Sequence, residues 1–222
     1  MTGKRDQHRA ETVARILTAA RDQVAAQGAG MSMRAVAREV GLVSSAIYRY
    51  FPSREALLTE MIIESYHHLD ERLSRVDGDA GRGSGVASPA QRWVALAGAL
   101  RGWARSVPHE FQLIYGTPLP DYVAPPETVP AAAAVAAHFL EVGAAAEVTG
   151  FDDAVLTGQM MVLVDDGMAA HASGAAAVLA ELAALVGFVP LELGGHLVGS
   201  ADPGDALFDA LVRRQTGTLG LS

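Results

Sequence analysis

No cysteine occurs anywhere in the 222 residues, which excludes disulfide scaffolds, thiol catalysis and cysteine-based zinc sites. The first residues, "MTGKRDQHRAETVARIL", lack the apolar stretch of a secretory signal, so export is not expected. The most apolar later stretch, Ala175 to Leu191, is interrupted by Glu181 and Pro190 and falls short of the roughly 20 residues a membrane span needs. No internal repeat and no strand-like alternation is visible. These absences leave a soluble, cytoplasmic, all-α protein with no membrane partner as the expectation. Half of its residues are hydrophobic, enough for a sizeable core.

Positive charge is scarce overall, with 17 basic against 25 acidic residues and a formal net charge of -8. It is concentrated at one end. Residues 1–54 carry nine basic and four acidic groups, a net of +5, which leaves -13 for the remainder. Such asymmetry suggests a small polyanion-binding module joined to a larger acidic one, although a solvated basic helix would give the same balance.

Helical periodicity organises the basic module. Val13, Ile16, Leu17, Ala20 and Val24 define a helix from Arg9 to Gln27, closed by a C-terminal cap at Gly28. Ser32 caps a second, with Met33, Val36, Ala37 and Val40 on its apolar face and Gly41 at its end. A third short helix holds Ile47, Tyr48 and Phe51 and stops before Pro52. Ser53 caps a fourth, with Glu55 in its first turn and Leu57, Leu58, Met61, Ile62 and Leu69 facing inward. Two helices joined by a glycine turn, the second led by small residues, form the pattern of a DNA-reading helix-turn-helix. Ser44, Ser45 and Ala46 would let the backbone approach base edges, while Tyr48, Arg49 and Tyr50 supply donors for phosphates. Backbone amides at Ser32 and Ser53-Arg54 would clamp the duplex on either side. Alone, this pattern is weakly specific.

The full run "AVAREVGLVSSAIYRYFPSREALL" resembles the N-terminal domain of the TetR family of one-component regulators. The resemblance covers residues 9 to about 65. It implies a homodimeric, all-helical regulator with a three-helix DNA-binding domain, followed by a larger helical domain that binds a small molecule and dimerises through the last two helices. Carried over by position, Ser32, Arg34, Tyr48, Tyr50 and Arg54 match phosphate contacts, and Ser44, Ser45 and Arg49 match base-reading positions. Where the family most often has serine or threonine two residues after the turn glycine, this chain has Val43, which would move the cap of the reading helix to Ser44. "RGWARSVPHEFQLIYGTPLPDY" and "LVGFVPLELGGHL" resemble the ligand domain of a TetR subgroup named for a Trp-His-Gly motif. At the motif itself the chain reads Leu182, Val186 and Gly187, so only the glycine survives.

The expected organisation is therefore a reading head at 1–54, a connecting helix at 55–76, a glycine- and serine-rich flexible loop at 77–88 and a ligand-binding and dimerisation domain at 89–222. Ser88-Pro89 opens the second module, whose first helix presents Trp93, Leu96, Ala97, Leu100 and Trp103 on one face. A shorter helix runs from Pro108 to Tyr115. Five of the ten prolines crowd into 117–130, marking a stiff extended segment. Further helices are expected at about 131–147, 152–172, 175–198 with a kink at Pro190, and 203–216.

Met160, Met161 and Met168, with Val164, suit a pocket for irregular apolar ligands, and plain core packing explains them as well. Trp103, Phe111, Tyr115, Tyr122, His138 and Phe139 flank the proline-rich segment and are candidates for lining or covering such a pocket. Asp165, Asp166, His138 and His171 invite a metal reading. Adjacent aspartates diverge by about 100° on a helix and cannot easily share an ion, so no metal or other cofactor is expected. The leading function is a ligand-released repressor that binds a palindromic operator as a homodimer. The alternatives are an all-helical enzyme, or a ligand-binding protein whose reading head no longer works.

Overall fold

The structure, a computed structural model, describes residues 3–27, 30–80, 87–116, 122–168 and 170–222. Among them every regular element is helical: α1 Lys4–Gln27, α2 Met33–Glu39, α3 Arg54–Ala80, α4 Pro89–Ser106, α5 Pro108–Tyr115, α6 Val129–Gly143, α7 Ala154–Asp165, α8 Ala172–Leu193 and α9 Asp205–Thr218. Single 3-10 turns occur at Ile47–Arg49 and Pro126–Thr128. The chain forms two compact units, Met1–Tyr66 together with His109–Pro130, and His67–Pro108 together with Ala131–Ser222.

The first unit is built around Ile16, Leu17 and Ala20 of α1, Val36 and Ala37 of α2, Ile47, Phe51, and Leu57, Leu58 and Met61 of α3. These are the apolar faces the periodicity marks. α1 starts at Lys4 rather than Arg9, because the Asp6 carboxylate accepts a hydrogen bond from the Gly3 amide (3.2 Å) at the free helix end. The Gly28 cap lies outside the described residues. Ser32 caps α2 by accepting from the Ala35 amide (3.2 Å), and Ser53 caps α3 by accepting from the Ala56 amide (3.1 Å). α5 belongs with this unit: Leu113 and Tyr122 pack on its core, and Tyr66 meets Tyr115 edge-on at 6.0 Å.

In the second unit α4 carries the capping box of Ser88 and Gln91, and its Trp93, Leu96, Leu100 and Trp103 are buried. Trp93 packs edge-on against Phe139 of α6 (5.3 Å) and donates its indole N–H to the Gln215 side chain of α9 (3.0 Å). Gln215 in turn donates to the Glu181 carbonyl of α8 (2.8 Å), so three helices share one buried polar chain. α8 is, by length and composition, apolar enough to cross a membrane, yet ten of its 22 residues are buried within the protein. Its Glu181 is buried and bound in a two-point ion pair by Arg214.

Other boundaries also depart from the sequence expectation. α3 continues through Ala80, while residues 81–86 of the expected loop and residues 117–121 of the expected extended segment lie outside the described residues. The helix expected over 152–172 ends at Asp165, because Gly167 takes a left-handed conformation (φ +72°), and Met168 therefore lies beyond it. α8 ends at Leu193, within a turn of Pro190 and just before Gly194. Gly195 takes a left-handed conformation (φ +72°) and the His196 amide donates back to the Leu191 carbonyl (2.9 Å), which closes the helix.

Candidate nucleic-acid interface

Gly41 sets the geometry of the head. Its φ of +73° lets the chain leave α2 sharply, with the Gly41 amide donating to the Arg38 carbonyl (3.2 Å) and the Leu42 amide to the Ala37 carbonyl (2.8 Å). The Arg15 guanidinium of α1 donates to the Val40 carbonyl (2.6 Å), satisfying an acceptor that the helix end leaves open. The chain then makes a tight turn in which the Ala46 amide donates to the Val43 carbonyl (2.8 Å), followed by the 3-10 turn Ile47–Arg49.

The expected third helix is thus a single 3-10 turn with flanking turns, and Ser44 is not its cap. Ala46 holds the capping position, with no side-chain bond. Ala46, Ile47 and Phe51 of this segment are all buried, at spacings of one and four residues.

This winding sorts the candidate DNA residues. Ser44, Ser45, Tyr48 and Arg49 face outward, and Tyr48 is 48% exposed. Ala46 is buried, so only its backbone is available to DNA. Tyr50 is half-buried beneath the Arg9 guanidinium, which lies 5.3 Å from its ring centre and donates to the Arg49 carbonyl (3.4 Å). Arg54 donates from Nε to the Met31 carbonyl (3.3 Å), tying the start of α3 to the entry of α2. The exposed Arg34 and Arg38, with Ser32, Ala35, Leu42, Val43 and Ser44, line an open depression of about 700 Å³. Two residues that the motif reading passed over, Arg9 and Arg15, tie α1 to the reading turn at Arg49 and to the end of α2 at Val40. Their forty- and twenty-five-residue separations from the carbonyls they bind leave no local sequence signal.

Glu55 is held below the usual carboxylate range by hydrogen bonds from its own amide and from Ser53, so it is ionised in the first turn of α3.

The candidate ligand residues fall into both units. In the first, Phe111 is buried against Tyr115 (5.4 Å), burial pushes the Tyr115 phenol well above its ordinary value, and Tyr122 shares a hydrogen bond with Thr59 (3.0 Å). In the second, Trp103 and Phe139 are core residues, and His138 Nε2 bonds Asp70 of α3 (2.8 Å). Met160 and Val164 are half-buried on α7, Met161 is 40% exposed, and Met168 follows the helix end. Among the described residues no three His, Asp or Glu side chains gather as metal ligands; His171 faces Glu147 at 3.8 Å.

Residues 16–61 match the family profile described as bacterial regulatory proteins, tetR family, and residues 93–215 match the tetracyclin repressor-like C-terminal domain. The HTH-type transcriptional regulators Rv1816 of Mycobacterium tuberculosis and Mb1846 of Mycobacterium bovis are each 39% identical over 154 residues. That match takes in 67% of this chain and 62% of each relative, so the chain spans under two thirds of their length. Among solved structures, SCO4313, described as a regulatory protein, is 28% identical with a TM-score of 0.78, covering 97% of this chain and all of that one. The TetR family regulator PfmR from Thermus thermophilus shares the fold at a TM-score of 0.54 and 17% identity, over 90% of this chain and 97% of its own.

Proposed function

Because the chain belongs to the TetR family of bacterial transcriptional regulators, we propose that it is a repressor that binds a palindromic operator as a homodimer and is released by a small, largely apolar effector. The observation that carries this reading is the outward row Ser44, Ser45, Tyr48 and Arg49 beside the depression holding Arg34 and Arg38, on the basic end of an acidic chain. Exposed short side chains suit base edges, and the arginines suit phosphates. Ser32, Tyr50 and Arg54 would add backbone contacts at the edges of the same face. Fluorescence anisotropy with the duplex upstream of the protein's own gene, at several salt concentrations and against a scrambled duplex, tests it. Preference for the native duplex that weakens steeply with salt supports the reading; equal, weak binding to both duplexes and to a pool-selected duplex would refute it.

The pairing surface we assign runs along α7 and α8. The sequence expectation used the last two helices, α8 and α9; α9 buries Phe208, Val212 and Gln215 within its own unit. By contrast α7 buries none of its residues, leaving Val155, Gly158 and Val162 exposed one turn apart, and α8 exposes Ala180, Ala183 and Gly187 at the same spacing. No charged residue occurs from Ala154 to Val164, and the two glutamates of α8 are occupied by Arg214 and Arg101. An uncharged, small-residue face of this kind suits close packing of helices from a second copy.

The effector site we place in the second unit, drawing on Trp103, His138, Phe139, Met160, Met161, Val164 and Met168. Phe111, Tyr115 and Tyr122 belong to the unit that holds the reading head, where Tyr122 packs on its core. Ligand-dependent release is then a population shift: the effector must favour the DNA-incompetent conformer by a few kcal/mol to empty the operator.

A further inference from the structure

Val43 is the apolar residue on the reading surface that neither the fold nor the phosphate contacts use. It follows Gly41 and Leu42, and its carbonyl is fixed by the Ala46 amide, so the backbone direction at this position is set by two hydrogen-bonded turns. Leu42 is half-buried and Ala46 and Ile47 are buried, whereas the Val43 side chain is 69% exposed, beside Ser44, Arg34 and Arg38 on the rim of the depression. An isopropyl group can neither cap a helix nor bind a phosphate oxygen. The turn that follows has its capping position at Ala46, so Val43 takes no part in capping it.

Duplex DNA presents one apolar group in the major groove of its four standard bases, the C5-methyl of thymine. We propose that Val43 reads a thymine methyl group in each half of the operator and is a specificity-determining residue of the head. The proposal rests on the DNA-binding reading above. A stiff, β-branched side chain on a fixed backbone loses little rotamer freedom on contact, and burying the two apolar groups against each other favours thymine over any base edge that presents a polar atom at that place. The neighbouring Ser44 and Ser45 then read adjacent edges by hydrogen bonds, and the contact adds sequence preference without neutralising charge.

The test uses the full-length protein, a duplex selected by it from a random pool, and a series of the same duplex in which symmetry-related pairs of thymines are replaced by deoxyuridine, which lacks only the methyl. One pair is expected to weaken binding about fourfold for each half-site, the effect of removing one buried methyl-sized group. Val43→Ala should lose a similar factor on the parent duplex, keep the salt slope, and become indifferent to that deoxyuridine pair. Because the Val43 side chain is exposed, the variant's unfolding temperature should be unchanged. If every deoxyuridine duplex binds the wild type as tightly as the parent, or if the same pair weakens wild type and Val43→Ala equally, the contact is not made by Val43. Failure to select any duplex from the pool would overturn the head's function itself, a result distinct from the other two.

Discussion

The arginines of the head divide by what their guanidinium groups already hold. Arg15 is committed to the Val40 carbonyl at 2.6 Å, and Arg9 lies over Tyr50 with a hydrogen bond to Arg49, whereas Arg34 is exposed at the rim of the depression. Arg34→Ala should therefore weaken binding to every duplex alike and reduce the slope of log affinity against log salt by about 0.9 for each phosphate the arginine neutralises, measured by anisotropy titrations. Arg15→Ala should leave that slope alone and instead lower the head's stability by about 1 kcal/mol, the usual net value of such a bond, in chemical denaturation. A comparable separation holds in the second unit. Gln215 joins the Trp93 indole to the Glu181 carbonyl, and all three groups are buried. Gln215→Leu would fill the space but orphan the buried Trp93 indole N–H, while the Glu181 carbonyl keeps its place in the α8 ladder, so a loss of about 1–3 kcal/mol is expected in urea unfolding, with DNA binding untouched.

Between elements, two joints govern the second unit. At the first, α8 begins against the loop after α6: the His171 amide donates to the Ala144 carbonyl (3.2 Å), and Ser173 accepts from the Val148 amide (3.2 Å). A Cβ on Gly174 would lie 2.5 Å from the Ala146 carbonyl oxygen and 2.9 Å from that of Ala144. These are backbone atoms that cannot swing aside, so Gly174→Ala should cost about 1–3 kcal/mol by overpacking, again read by urea unfolding. At the second joint, Arg101 of α4 binds Glu192 of α8 and Asp205 of α9 while its guanidinium lies 4.6 Å from the Phe208 ring centre. The hydrogen bond from Arg101 holds the Glu192 carboxyl below its ordinary value of 4.5. The folded state thus binds that proton less readily than the unfolded chain. The stabilisation is complete above pH 4.5 and is lost as pH falls through the lowered folded value. Urea midpoints at about pH 7 and about pH 4 should show a larger drop for the wild type than for Glu192→Gln.

The helices themselves were legible because their causes are local. Capping serines at 32, 53 and 88, and apolar faces repeating every three to four residues, are written in the sequence and occur where those signals lie. The reading segment was not, since a short stretch with Ala46, Ile47 and Phe51 buried has the same periodicity whether wound with three- or four-residue bonds. Nor was the partnership of 109–130 with the head, which depends on contacts such as Tyr122 with Thr59, sixty-three residues apart. Proline-rich chain has no periodic face to declare its partner.

For the molecule as a whole, charge and pairing decide the behaviour on DNA together. A chain of net charge -8 is repelled by a polyanion at long range, and the +5 of its first 54 residues must act at close range against that field. A single head of this size reaches few phosphates; in the proposed homodimer two heads engage one duplex, which raises avidity through effective concentration. On the proposed pairing the dimer is the unit of function, and a charge placed on the α7–α8 face should dissolve it without unfolding the chain. Val162 is 58% exposed and a Cβ at Gly187 would meet nothing within 4 Å, so Val162→Glu and Gly187→Glu are both sterically free in the monomer. Each variant is expected to sediment at half the wild-type mass and to lose at least about tenfold in operator affinity. Each should also keep its helix content by circular dichroism and bind a scrambled duplex as the wild type does. Retention of the dimer in both variants would move the pairing surface elsewhere, and the exposed edge of α9 around Leu207 would then be the next face to charge.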